Sequence, residues 1–235
     1  MKTEAPSAAS VSFPKVPDHY RGVWVRTLLE TPTLRDASTC VRWMQTGQWH
    51  ADLRVPSSAR NADGTPTLAQ RQSQQGFSGV TEISHAGDTE ICTWHRRFDF
   101  LPPRPTPDTG TMVFETPERV IERGIHSEYL EVWERMPESV GVCIALAGTT
   151  ITGADSGERL LQTGSCVMRV RPWQDFEISF GSLRQGVWHI EHSLVPELEG
   201  LALPLSLQRT GEHTATVQLA NQVSAWKVLE WTDAP

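Results

Sequence analysis

Three kinds of side chain recur at spacings that could do chemistry. In the stretch His50-Ala51-Asp52-Leu53-Arg54 an imidazole, a carboxylate and a guanidinium stand two residues apart. In a strand they share one face. If the chain turns back through a two-residue hairpin at Thr46-Gly47, Trp43 lies opposite His50 and Val41 opposite Asp52, on that same face. The pattern returns elsewhere. Trp24, Arg26, Leu28 and Glu30 share a side, as do Tyr129, Glu131, Trp133 and Arg135, and as do Trp94, Arg96, Phe98 and Phe100. Indole rings repeatedly keep company with charged groups. An aromatic-lined cavity holding a few such groups is what a small-molecule site looks like.

A carboxylate in an apolar cavity rises in pKa unless an arginine holds it ionised. Acid–base catalysis exploits that arrangement, and structural ion-pair networks show it too. His50, Asp52 and Glu131 are the candidate acid–base groups, with His126 a further imidazole. Trp24, Arg26, Trp43, Arg54, Tyr129, Trp133 and Arg135 are the candidate ligand-binding residues. The competing reading of the same faces is a solvated surface on which arginine stems lie over exposed indoles. His189 and Glu191 share a strand face but His192 takes the other, short of the three convergent ligands a metal needs. No nucleophile elbow and no phosphate-cradling glycine loop is present, so neither a metal nor a cofactor is expected.

These groups need elements to position them. Short runs rich in Val, Ile, Thr and Trp, broken by Gly, Pro and Asp, begin at Tyr20 and predict strands over 21–31, 38–46, 48–55, 78–85, 89–100, 111–116, 119–124, 127–136, 140–147, 159–171, 175–180, 186–194, 203–209, 213–219 and 222–231. A single short helix is predicted over 66–75, capped by Thr65, in the connection between two hairpins. The fold class is therefore all-β, an antiparallel meander closed into a lipocalin-like barrel. Some fifteen strands exceed one small barrel, so two barrel halves are an alternative, with a break near 148–158. Residues 1–19, rich in Ala, Ser and Pro, read as a flexible arm ahead of a domain over 20–235.

Composition narrows the function. With 235 residues and a net charge of -7, the chain lacks the basic footprint of a nucleic-acid protein. No apolar run approaches the ~18 residues of a membrane-spanning helix. The four cysteines match no zinc spacing and read as free thiols, which with the absence of a leader-like start points to the cytoplasm. Arginine accounts for most of the basic residues, and it is the cation best suited to bidentate carboxylate pairing.

Gly22-x-Trp24 at the first strand, followed by a meander of Trp-bearing hairpins, resembles the calycin superfamily over roughly residues 20–147. In lipocalins and fatty-acid-binding proteins a Gly-x-Trp plugs the barrel base. The resemblance implies a barrel with an internal ligand cavity. The chain is longer than one such barrel and looks more like intracellular lipocalin-like proteins built from two barrel halves. The resulting expectation is a small-molecule-binding barrel whose ligand is a small aromatic or anionic compound. Its alternatives are a cofactor-independent lyase or isomerase using His50 or Asp52 as base, and a structural or interaction module. An Arg- and Trp-rich β surface would suit a homodimer.

Overall fold

A computed structural model describes residues 13–56, 67–173 and 175–233. The chain builds two closed antiparallel barrels of eight strands each. The first comprises β1 (Gly22–Glu30), β3 (Cys40–Gln45), β4 (Trp49–Val55), β5 (Gln75–Ala86), β6 (Thr89–Asp99), β7 (Asp108–Thr116), β8 (Arg119–Gly124) and β9 (Leu130–Arg135). It closes by pairing β1 with β9, and a two-residue strand β2 (Arg35–Asp36) adds to the outer end of β1. The second comprises β10 (Cys143–Thr149), β11 (Asp155–Thr163), β12 (Cys166–Arg171), β13 (Glu177–Arg184), β14 (Val187–Ser193), β15 (Ala202–Arg209), β16 (Thr214–Leu219) and β17 (Gln222–Thr232). Closure leaves no central strand edge unpaired.

The chain passes from one barrel to the other at 136–142, ahead of the expected break. Residues 148–158 are instead the end of β10, its turn and the start of β11. The true crossing is pinned: Val23 N–H donates to Ser139 Oγ at 2.8 Å, and Ser165 N–H donates to the Glu138 carbonyl at 2.9 Å. The run expected as one strand over 159–171 is a hairpin, with Thr163 facing Cys166 across a Gly164-Ser165 turn. Helix α1 (Leu68–Ser73) lies in the connection expected for it, but β5 has already begun at Gln75. Its expected cap, Thr65, lies outside the described residues. Of the expected arm, residues 13–19 pack against the first barrel. Phe13 stacks on His95 at 4.4 Å, and Val16 is buried, its N–H donating to the Gly47 carbonyl. The remainder, residues 1–12, lies outside the described residues.

The mixed character of β3 and β4 now has a cause. Both of their faces are buried. Val41, Trp43 and Phe77 of β5 point into the first lumen with Trp24, Trp94, Met112 and Trp133. Met44, Trp49, Ala51, Leu53 and Val55 point the other way, onto Ala145, Leu161, Met168, Val170 and Phe180 of the second barrel. That seam joins the barrels. The second lumen is packed mainly with aliphatic side chains around Trp188 and Trp226.

Candidate functional site

The hairpin joining β3 and β4 carries most of the site. Its register pairs Trp43 with Asp52 and Gln45 with His50, so the loop between the paired strands is two residues longer than expected. A shift of two residues keeps every side chain on its face, whereas a shift of one would have turned Asp52 and Arg54 away from Trp43. His50, Asp52 and Arg54 therefore enter the lumen together.

The lumen has a filled end and an open end. At the filled end Gly22, at φ +132°, bends the chain where a side chain would collide with Ser139 and Arg135. Trp24 follows, fully buried, its indole N–H donating to the Tyr20 carbonyl at 2.8 Å. At the other end a cavity of about 250 Å³ is walled by Trp43, Phe77, Trp94, Tyr129 and Trp133. The indoles of Trp94 and Trp133 stand nearly perpendicular to Trp43, with centroids 5.4 and 5.6 Å away. Ser127 and Arg104, both exposed, contribute to the mouth. The Trp43 N–H has no partner among the described residues.

The charged groups form linked pairs. Arg54 grips Asp52 with both Nε (2.7 Å) and Nη2 (3.3 Å), and its Nη1 reaches Glu131 at 3.5 Å. Behind the wall Arg26 donates to the same Glu131 oxygen at 2.7 Å and to Asp36 at 2.9 Å. Arg96 lies face-on over Phe77 at 3.4 Å, donating to Asp108 (Nε, 3.1 Å) and to Asp99 (3.0 Å). Burial opposes the charge of Arg54, but the carboxylates of Asp52 and Glu131 outweigh it and raise its pKa well above the ordinary value.

Glu122 of β8 is different. Its carboxyl accepts from the Tyr129 hydroxyl (2.6 Å) and the Trp133 indole (3.0 Å), both neutral donors. It sits directly across the strands from Glu131. Burial first, then the charge of Glu131, push its pKa well above 4.5, only partly offset by the Tyr129 hydrogen bond. Gly110 leaves room for it: a Cβ there would stand 2.8 Å from Glu122 Cγ. Burial, and next the charge of Glu122, in turn raise the Tyr129 phenol above its usual range.

The expected residues thus separate into two groups. Trp43, Asp52, Arg54, Tyr129, Glu131 and Trp133 line the cavity, and Arg26 buttresses it through Glu131. Trp24 and Arg135 belong to the filled end instead. Arg135 lies over the Trp24 ring at 5.4 Å and donates to the Arg21 carbonyl at 3.4 Å. Arg135 is four residues along β9 from Glu131, about 13 Å at the rise of a strand. His50 is buried below the cavity wall. It contacts Thr81 Oγ1 at 3.0 Å, and Thr81 itself donates to Gln45, so the imidazole Nδ1 is the donor. Burial, then the nearby positive charge of Arg96, push the His50 pKa well below 6.5 and leave it neutral.

A bulge between Arg26 and Leu28 brings Leu29, rather than Leu28, to the cavity. A second bulge opposite Ser78 and Gly79 turns β6 over. Arg96 and Asp99 then meet, while Phe98 goes to the seam. Glu122 and Asp108 were not among the expected residues. Val120 and Glu122 stand two apart and so share a strand face, but the chemistry of that face depends on the cross-strand neighbour. In β14, Trp188 and Ile190 are buried while His189 and Glu191 face outward. Among the described residues no group of three His, Cys, Asp or Glu side chains converges as metal ligands.

No family model matches the chain, and no curated protein matches it. Among solved structures the chain is similar to the crystal structure of uncharacterized protein YLR301w from Saccharomyces cerevisiae. The TM-score is 0.64 and the identity 14%, with 90% of this chain and 98% of that chain covered. The likeness is one of fold and extends over nearly all of both chains.

Proposed function

We propose that this protein binds a small aromatic molecule inside its first barrel. The observation that carries this reading is the cavity itself, where three indoles, a phenol and a phenyl ring surround about 250 Å³ beside buried charge pairs. The volume suits a single-ring compound. The closed meander and the Gly22–Trp24 plug support a calycin-like reading of the barrel. The four free cysteines, three of them buried, support a reducing compartment such as the cytoplasm.

The lyase or isomerase reading has weaker footing. It calls on His50 or Asp52 as base, yet His50 does not line the cavity and both Asp52 oxygens accept from Arg54. Binding is therefore the better reading.

Ser127 offers the test, because it lies at the mouth and is exposed. Calorimetric titration of the full chain with single-ring aromatics such as benzyl alcohol should saturate at one site. Ser127→Trp should weaken that binding at least tenfold by filling the mouth, with the melting temperature shifted by no more than about 2 °C, as for a surface change. Saturable binding that Ser127→Trp leaves untouched would place the ligand elsewhere and reject the proposal.

A further inference from the structure

The charges around the cavity do not balance. The carboxyl groups of Asp52, Asp108, Glu122 and Glu131 line it, and Asp36 and Asp99 stand behind them as partners of Arg26 and Arg96. The guanidiniums are four: Arg26, Arg54, Arg96 and Arg104. Arg54 and Arg96 at the lumen wall and Arg26 behind it are already committed to carboxylates, each to two. The fourth, Arg104, is exposed at the mouth and reaches Gln75 at 3.4 Å. An entering anion would meet arginines whose charge is spent and carboxylates that repel it. Glu122, by contrast, has no guanidinium within hydrogen-bond reach among the described residues.

Resting on the cavity reading above, we infer that the site selects a small organic cation, whose charged group docks at Glu122 while its body lies against Trp43, Trp94 and Trp133. Indole is the aromatic ring that best attracts a cation, and a water-poor pocket strengthens that attraction. The groups that set the state of Glu122 come from several elements, Glu131 on β9, Asp108 on β7, Arg54 on β4 and the Tyr129 hydroxyl, while the buried Cys92 thiol on β6 is itself raised by burial and then by the charge of Glu122. The carboxyl surplus keeps a proton on Glu122 in the empty site. An arriving cation supplies the missing positive charge, Glu122 ionises, and the proton leaves to solvent. Binding and proton release are then one event.

The test uses the intact chain and three probes of similar size: benzyltrimethylammonium, benzyl alcohol and benzoate. Calorimetry near neutral pH in two buffers of different ionisation enthalpy measures affinity and proton release together. Benzyltrimethylammonium should bind at least tenfold tighter than benzyl alcohol, release up to one proton per site, and tighten as pH rises. Benzoate should be the weakest. Glu122→Gln should remove the proton release and collapse the preference for the cation over the alcohol. Benzoate binding as tightly as the cation, or cation binding without proton release, overturns this inference while leaving an aromatic site in place. Failure of all three probes to saturate overturns the cavity reading as well. The wild-type series decides the matter alone if Glu122→Gln does not fold.

Discussion

At the scale of single residues, two carboxyl groups facing each other across β8 and β9 live in opposite surroundings. Glu131 accepts from Arg26 and Arg54, whereas Glu122 has only a phenol and an indole. Environments that divide a pair in this way are how one site keeps a proton on one carboxyl beside a charged partner. The consequence for stability has a definite sign. The folded Glu122 pKa lies above its ordinary 4.5, so the folded state holds more proton there than the unfolded chain. Its contribution is fully present below about 4.5 and is lost as pH rises through the folded value, at up to ~1.4 kcal/mol per pH unit. Glu122→Gln should therefore gain on the wild type as pH is raised above that point. Melting curves from pH 5 to 8 measure the gap, and a gap that stays constant would refute the assignment. Asp52 and Arg54 were legible because they stand two apart in one strand. Glu122 was not, because its surroundings come from β7, β9 and the Tyr129 turn.

At the scale of elements, period two made the faces legible and bulges rewrote them locally. The β3–β4 register differed by two residues from the simplest hairpin without moving a side chain to the other face. In β6 the bulge did move them, sending Phe98 to the seam and Asp99 to Arg96. Gly79 permits that bulge: a Cβ on it would stand 1.9 Å from the His95 carbonyl oxygen. Gly79→Ala must force β5 and β6 apart at the point where Arg96 is aimed into the cavity. The expected cost is about 3 kcal/mol, within the range of backbone clashes. Urea unfolding should show a lower midpoint and aromatic ligands should bind more weakly. An unchanged midpoint would mean that the strands do not approach so closely. The turn at Gly164-Ser165 was marked in the sequence, since Gly-Ser is a two-residue hairpin dipeptide and Gly164 takes φ +53°, but the similar apolar runs on either side read as one continuous strand.

For the whole molecule the seam matters as much as either lumen. Glu230 on β17 reaches from the second barrel into the β3–β4 loop. It accepts from the Thr46 hydroxyl at 2.7 Å, the Gln48 N–H at 2.9 Å and the Trp49 N–H at 3.1 Å. Arg159, nearly fully buried, lies over Trp49 at 4.5 Å and over Phe98 at 5.1 Å, and pairs with Asp155 through two bonds of 2.8 and 2.7 Å. The loop that sets the β3–β4 register, and hence the site, is thus held by the other barrel. Glu230→Ala removes the acceptor of the part-buried Gln48 N–H and the cross-barrel acceptor shared by Thr46 and Trp49, and should cost about 2 kcal/mol. Because the seam is shared, both barrels should still unfold in one transition with a lower denaturant midpoint. Two resolved transitions in the wild type would show that the barrels are energetically separate.

The sequence by itself determined that the chain is all-β, close to where its strands lie, and that Trp43, Asp52 and Arg54 share a face. Those properties follow from local stereochemistry, because alternate side chains of any strand point the same way. Only the tertiary structure decided that Trp24 plugs one end while Trp43 walls the other. It also decided that the apolar backs of β3 and β4 meet a second barrel, and that Glu122 faces Glu131 without a guanidinium. Depth along a lumen, bulges and cross-strand neighbours arise from pairings between residues distant in the chain, which strand periodicity does not encode.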